Sequence, residues 1–402
     1  MKLTKKILLK YKPVVIAITG NVGKTSTKEA IYTMLKSKYR CRRNEANYNT
    51  PVGVAVTIIG TKPGGSSAVA WIKNIILGYG LLINKKKDYP EILIIEIGAD
   101  YPNDISFICN VLKPKVGVIT NIGDIPVHVS NFKNIAEVYQ EKLELIKCLP
   151  VDGAAILNFD NKRILDFKNL SNAKVISYGF EEGADIYASD FKIIPNESDL
   201  RNSEMYYRIE YMGTSIPFQL KNIVGKSYAY AILCAVCVGI FFDMNMVEIS
   251  ESLKLYKGVK SRINILKGIN NSWIIDDTYN ASPLATLSSI DFLASLPAKR
   301  HILAIGDMKE LGKYSEAAHC QVGDAIIRDN INLVFSIGEE TKFVDKQLIS
   351  NGFESKNIHH FDKSVDAIKS IYSLVQPGDL ILVKGSHSMK MEKISESLAK
   401  SI

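Results

Sequence analysis

Six cysteines in 402 residues, with a single Cys234-x-x-Cys237 pair, leave the chain without the second pair or the neighbouring histidines that a zinc site needs. That pair lies in an alanine-rich apolar stretch and reads as core. Long apolar runs are missing too. The start, Met1 to Lys10, is basic and has no apolar stretch long enough for a secretory leader, which points to a cytoplasmic protein. Val69 to Ile83 is apolar but broken by Lys73-Asn74 and shorter than the ~20 residues that cross a bilayer, so no stable membrane span is expected. With Lys85-Lys86-Lys87 behind it, it reads as a helix packed on a sheet, or as one that touches a membrane surface or a partner. The net charge of +8 is modest and its cations are scattered, so anionic small substrates suit it and no nucleic-acid partner is expected. Repeats and low-complexity tracts are absent, and 47% hydrophobic residues exclude a disordered class.

What the chain does have comes early. Val14-Val15-Ile16-Ala17-Ile18 reads as a buried strand, and it runs into Thr19-Gly20-Asn21-Val22-Gly23-Lys24-Thr25-Ser26 and then a helical stretch from Thr27. Glycines at a strand-to-helix turn let backbone N–H groups converge on phosphate. Lys24 is placed to reach terminal phosphates and the Thr25 hydroxyl to bind Mg²⁺. The longer form of this loop has glycine where Ile18 stands, so this is the short G-x-x-G-K-T variant, which argues against a motor or a GTPase.

Beyond the loop, apolar strands alternate with helical segments, the pattern of a mostly parallel sheet covered on both faces. Strands are expected at 92–96, 116–120, 154–157 and 174–177, with short antiparallel strands over 185–220 and a helix from about Ser227 to Phe241. A fresh α/β run starts at Trp273, with strands at 301–305, 333–337 and 379–383 and no phosphate loop of its own. The expected organisation is α/β throughout. A basic segment, 1–12, precedes a central ATP-binding domain, 13–256, with a P-loop ATPase-like mostly parallel sheet and a small antiparallel appendage at 185–220. A C-terminal Rossmann-like domain, 257–402, is expected to close over the nucleotide, pivoting near Tyr256 to Lys260.

Phosphoryl transfer needs metal ions to neutralise charge on the transferred group. Glu96 ends a strand, so it either shares a Mg²⁺ with Thr25 or is a solvated strand-end carboxylate. His128 follows Thr120-Asn121-Ile122-Gly123, on the edge where open α/β sheets bind ligands, although a lone histidine is more often structural. Asp276-Asp277-Thr278-Tyr279-Asn280-Ala281-Ser282-Pro283 suits ribose or phosphate contacts, or a helix cap. Arg262, just ahead of it, can bring a guanidinium to the γ-phosphate on closure.

Taken together, several stretches resemble the Mur ligases, from about residue 13 to the end of the chain. They are the loop at 19–25, Asn47-Tyr48-Asn49-Thr50-x-x-Gly53, Glu96-x-Gly98, Thr120-Asn121-Ile122-Gly123 with His128, Lys142-x-Glu144, Leu157-Asn158-x-Asp160, Asp276-Asp277-x-Tyr279-Asn280-Ala281, Gly306-Asp307-Met308-x-Glu310-Leu311-Gly312 and Val383-Lys384-Gly385-Ser386. The stretches around Tyr279-Asn280 and Gly306-Asp307-Met308 match the branch that adds D-alanyl-D-alanine to a UDP-N-acetylmuramoyl tripeptide.

The resemblance implies an ATP-dependent amide ligase of peptidoglycan precursor synthesis, in which ATP converts a muramoyl-peptide-like acid to an acyl phosphate that the amine of D-Ala-D-Ala attacks. It implies that the loop, Asn121, Arg262, Asp277 and Asn280 contact ATP. It further implies two Mg²⁺ ions, one on Thr25 and Glu96 and a second helped by His128, with Lys142 matching a lysine whose CO₂ adduct, a carbamate, ligates metal. The alternatives are the same chemistry on another acid, as in folate polyglutamylation or cofactor amidation, and a non-catalytic nucleotide-binding module. Two departures stand out. Gly225-Lys226-Ser227-Tyr228-Ala229-Tyr230-Ala231 replaces the family's His-Asn pair near adenine, so adenine contacts are expected to differ. Only about a dozen residues precede the first strand, where the family has a domain that grips the uridine nucleotide, so a protein partner or the remaining domains are expected to hold that end of the substrate.

Overall fold

The computed structural model describes residues 1–45, 48–84 and 86–399; Asn47 of the Asn-Tyr-Asn-Thr motif and Lys85 of the basic run lie outside the described residues. The expected basic lead is itself a helix, α1 (Lys2–Tyr11), which buries Ile7 and Leu8 and leaves Lys2, Lys5 and Lys6 in solvent. There follow β1 (Val14–Thr19), α2 (Lys24–Leu35), β2 (Cys41–Arg43), α3 (Pro51–Ile59), α4 (Ala68–Ile83), β3 (Ile92–Glu96), α5 (Asp104–Leu112), β4 (Val116–Ile119) and α6 (Ile135–Lys147). Next come β5 (Ala154–Asn158), α7 (Lys162–Leu165), β6 (Lys174–Gly179), β7 (Ile186–Ile194), β8 (Glu204–Tyr211), β9 (Thr214–Lys221), α8 (Lys226–Phe241) and α9 (Met246–Leu253).

Nine strands form one sheet in the order β2-β3-β1-β4-β5-β6-β7-β8-β9. Pairing is parallel from β2 through β7 and antiparallel across β8 and β9. The antiparallel strands expected over 185–220 therefore continue the main sheet, because β7 pairs with β6 at Tyr178–Ile186 and Gly179–Tyr187. All five residues of β3 are buried, which is why a strand covered on both faces reads as an unbroken apolar run. α4 is a helix, but it packs mainly on α1 and α3 rather than on the sheet. No described helix is long and apolar enough to cross a membrane.

The second block holds β10 (Asn264–Lys267), β11 (Trp273–Asp277), α10 (Pro283–Ser295), β12 (Arg300–Gly306), α11 (Ser315–Arg328), β13 (Leu333–Ile337), α12 (Lys342–Ser350), β14 (Ile358–Phe361), α13 (Ser364–Leu374), β15 (Asp379–Lys384) and α14 (Glu392–Leu398). Its six-stranded sheet, β10-β11-β15-β12-β13-β14, is parallel except for the β10–β11 pair. Parallel strands deliver ligand-binding residues at their carboxyl ends. Here those ends are Thr19 and Glu96 in one block and Asp277 and Lys384 in the other. One apolar cluster runs through both blocks, from Ile18 and Leu233 to Tyr228, Phe292 and Ile275, and holds the two edges towards each other.

Candidate active site

Two glycines shape the turn from β1 to α2. Gly20 has φ 142° and Gly23 φ 88°, and a Cβ on Gly20 would stand 2.1 Å from Thr120 Oγ1. The loop is pinned from behind by the end of β4. Asn21 and Val22 donate their N–H groups to Asn121 O at 2.7 and 3.3 Å, and Thr120 Oγ1 donates to Val22 O at 2.6 Å. Asn121 thus supports the loop through its main chain, while its Oδ1 accepts from Asn161 Nδ2 at 2.7 Å. Neither it nor Thr19 nor Gly20 lines the cleft in front.

That cleft, about 440 Å³, lies between the blocks. Asn21 to Ser26, Glu96, Asp100 and His128 form one wall, and Arg262, Asp277, Tyr279, Asn280 and Lys384 form the other. Lys24 Nζ donates to Gly20 O at 2.9 Å and Asn21 O at 3.4 Å. Burial pulls the Lys24 pKa down, opposed by the Glu96 charge. Thr25 Oγ1 donates to Glu96 Oε2 at 2.9 Å and accepts from Arg262 Nη2 at 3.1 Å. Glu96 is 3% exposed, which removes the solvated reading. Asn44 fixes its main chain, accepting from Glu96 N–H and donating to Glu96 O, both at 2.9 Å. Buried Lys28 stands 3.9 Å from its carboxylate. Lys28 lies one helical turn past Lys24, a spacing that marks it as a neighbour on the same face. Asn44 carried no such signal.

His128 adopts a left-handed backbone, φ 65°. Its Nδ1 lies 2.5 Å from Glu310 Oε2 and its Nε2 3.5 Å from Asp100 Oδ1. Burial lowers the imidazole pKa, and both carboxylates oppose that shift. Glu310 arrives on the loop after β12, which Asp307 anchors by accepting the N–H groups of Glu340 and Thr341 at 2.9 Å. The Gly306-to-Gly312 stretch therefore brings the second block onto His128. Lys142, on α6, is 3% exposed and does not line the cleft. Burial, then the charge of Lys24, lowers its pKa to about 7. Among the described residues, no group of three or more His, Cys, Asp or Glu side chains is arranged to hold a metal.

On the opposite wall, Asp277 Oδ2 accepts from Lys384 Nζ at 2.5 Å and Ser289 Oγ at 2.7 Å, and Lys384 also donates to Asn280 O at 3.0 Å. Lys384 lines the cleft, and although its motif was quoted from the sequence no role had been given to it. The Arg262 guanidinium lies 4.2 Å from the centre of the Tyr279 ring. Its neighbours Ser261 and Ile263 have φ 56° and 52°, strained for residues with side chains. Tyr228, from the segment that departs from the family pattern, donates its hydroxyl to Arg262 O. Among the described residues, the Asn21 Nδ2 and Arg262 Nε donors are buried without a partner. Such unmet demand on both sides of the cleft suits an oxygen-rich anion.

Residues 18–239 match the model of the Mur ligase middle domain, and 261–387 that of the Mur ligase glutamate ligase domain. The chain is 30% identical to the UDP-N-acetylmuramoyl-tripeptide--D-alanyl-D-alanine ligase of Buchnera aphidicola, covering 96% of this chain and 75% of that one. It is 27% identical to the Bacillus subtilis protein of the same name, over 100% of this chain and 79% of the other. In structure it is similar to the MurF ligase of Thermotoga maritima in complex with ADP, with a TM-score of 0.79, 25% identity, and coverage of 98% of this chain and 82% of that one.

Proposed function

The chain belongs to the Mur ligase family and is an ATP-dependent ligase, and from that premise we propose that it joins D-alanyl-D-alanine to the carboxyl end of a UDP-N-acetylmuramoyl tripeptide. Carboxylate and ammonium do not condense in water, so the carboxylate is first phosphorylated by ATP and the acyl phosphate is then attacked by the amine, releasing phosphate. The observation that carries this reading is the two-walled cleft, which sets a phosphate loop with the Thr25–Glu96 pair against Arg262, Asp277 and Asn280.

The Lys24 side chain and the N–H groups of Lys24 to Ser26 at the start of α2 hold the phosphates. Arg262, already bonded to Thr25 across the cleft, adds a guanidinium where charge builds on the transferred group. Asp277 and Asn280 contact the nucleotide, and Lys384 fixes both of them. Thr25 Oγ1 and Glu96 Oε2, 2.9 Å apart, are hard oxygen donors of the kind Mg²⁺ takes, and they would hold the ion beside the phosphates. When bound, the ion neutralises phosphate charge. His128 and Lys142 would help hold a second ion. With its pKa lowered to about 7, the Lys142 amine is partly neutral at that pH, and in that form its nitrogen can bond to the carbon of CO₂ and release one proton to solvent, giving an anionic carbamate. The two blocks close as domains, 13–256 and 257–402, about the linker near Tyr256 to Lys260.

The test is incubation with ATP, Mg²⁺, D-Ala-D-Ala and UDP-muramoyl tripeptides, reading ADP release together with product mass. ADP that depends on the acid and the amine, with the extended muramoyl peptide as product, is the expected result. ADP release without that peptide would remove the substrate and keep the ligase.

A further inference from the structure

Residues 1–12 and 61–87 contain ten lysines and no acidic residue, whereas the rest of the chain holds 40 basic residues against 42 acidic ones. The whole net positive charge of the protein is therefore carried by two segments. The fold packs them together. Lys10 Nζ donates to the carbonyls of Leu81 and Leu82 at 3.1 and 2.6 Å, and Tyr11 Oη donates to Leu81 O at 3.0 Å, so α1 satisfies the last carbonyls of α4. A Cβ on Gly78 would stand 2.6 Å from Leu3 Cδ2, so that glycine lets the two helices approach.

The side of α4 that is left uncovered is apolar. Val69, Ile72, Ile76, Tyr79 and Ile83 follow one another at intervals of three and four, a single helical stripe, and are 76%, 57%, 63%, 54% and 79% exposed. Lys73 is the only charged residue of this helix. A surface helix of a globular protein normally turns polar residues to that side. On α1, Leu9 is exposed among Lys5, Lys6 and Lys12. An apolar stripe attended by cations, with no carboxylate in either segment, matches a surface that is apolar inside and anionic outside.

We propose that α1 and α4 form a docking surface for an anionic lipid membrane. The stripe enters the boundary between headgroups and acyl chains, and the surrounding lysines meet lipid phosphates. Sixteen residues make a helix of about 24 Å, shorter than the ~30 Å hydrocarbon core, so α4 lies in the plane of the surface. Trp71 and Tyr79 supply the aromatic side chains that favour that depth. A second copy of the chain is a poorer occupant, because it would bring ten lysines against ten.

Sedimentation of the full chain with vesicles tests this. Binding is expected to vesicles of phosphatidylcholine mixed with phosphatidylglycerol and not to phosphatidylcholine alone, and it should vanish near 1 M salt, where the Debye length is about 3 Å. Each of Lys5→Gln, Lys6→Gln and Lys86→Gln should weaken binding about fivefold, and Ile72→Ser with Ile76→Ser should abolish it while ADP release in vesicle-free solution stays unchanged. The lysine variants decide the matter even if the isoleucine pair fails to fold. Equal sedimentation with both vesicles, sedimentation with neither, or a concentration-dependent dimer that Ile76→Ser dissolves would overturn the proposal.

Discussion

The two walls of the cleft are built by different physics. The first is set by main chain and close packing: Gly20 against Thr120, the loop against Asn121, Glu96 locked between Asn44 and Lys28, all within one block. Its phosphate site is preformed. The second depends on side-chain pairs and a strained approach, with Asp277 resting on Lys384 and Arg262 held between two left-handed residues. Its charged groups already reach across, Arg262 to Thr25 and Glu310 to His128. Nucleotide binding therefore fills the first wall and exchanges the contacts of the second, and substitutions should sort accordingly.

The largest effect is expected at the preformed wall. Lys24→Ala removes the cation that the loop carbonyls hold, and kcat/KM for ADP formation should fall on the order of 10³-fold. A change below tenfold would mean that the loop does not hold the transferred phosphate. On the opposite wall the main cost should appear in stability. Lys384→Met leaves the Asp277 carboxylate buried without its cation, which costs about 3–5 kcal/mol in denaturant unfolding. Adding Asp277→Leu should restore most of that stability but not ATP affinity, which separates the structural from the binding part of the pair.

Lys142 lies behind the first wall and sharpens the contrast through pH. Its folded-state pKa of about 7 is below the ordinary 10.5, so between those values the native state binds fewer protons than the unfolded chain. Its contribution to stability therefore rises with pH across that window and is lowest below about 7. Carbamate formation needs the neutral amine, so at constant dissolved CO₂ ligase activity should drop about tenfold one unit below the pKa, and at pH 8 CO₂ depletion should lower activity until bicarbonate is added back. A carbamate carbon signal from ¹³C-labelled bicarbonate, absent in Lys142→Arg, is the direct check.

What the sequence disclosed follows the same division. The first wall is local, a strand, a glycine turn and a helix in succession, so Gly20 to Ser26 could be read from spacing, and the ends of β3 and β11 pointed to Glu96 and Asp277. Partners that meet only through the tertiary fold were silent. Asn44 reaches Glu96 from outside β2, and Lys384 reaches Asp277 because β15 lies beside β11. Apolarity alone did not say where a helix goes. α4 and α8 are both sixteen residues long and strongly apolar, yet α8 is buried through most of its length and α4 buries only Asn74, Gly78 and Leu81. The burial of α8 follows from its packing against α2 and against β5, β6 and β7, pairings that no local pattern encodes.

The smallest effect probes the strain that holds the second wall. Ser261 at φ 56° carries a left-handed penalty of about 1–2 kcal/mol that glycine does not, whereas glycine adds about 0.5–1 kcal/mol of backbone entropy to the unfolded chain. Ser261→Gly should consequently change unfolding free energy by about 1 kcal/mol or less. The same substitution frees the backbone beside Arg262, whose carbonyl is held by Tyr228 and whose guanidinium must meet both Thr25 and the phosphate. A looser approach raises the entropy lost on binding, so KM for ATP should rise two- to fivefold, on the order of the freedom of one residue, with kcat nearly unchanged. If kcat falls instead while KM holds, Arg262 is placed by closure rather than by its strained linker, and the second wall is assembled only when the blocks close.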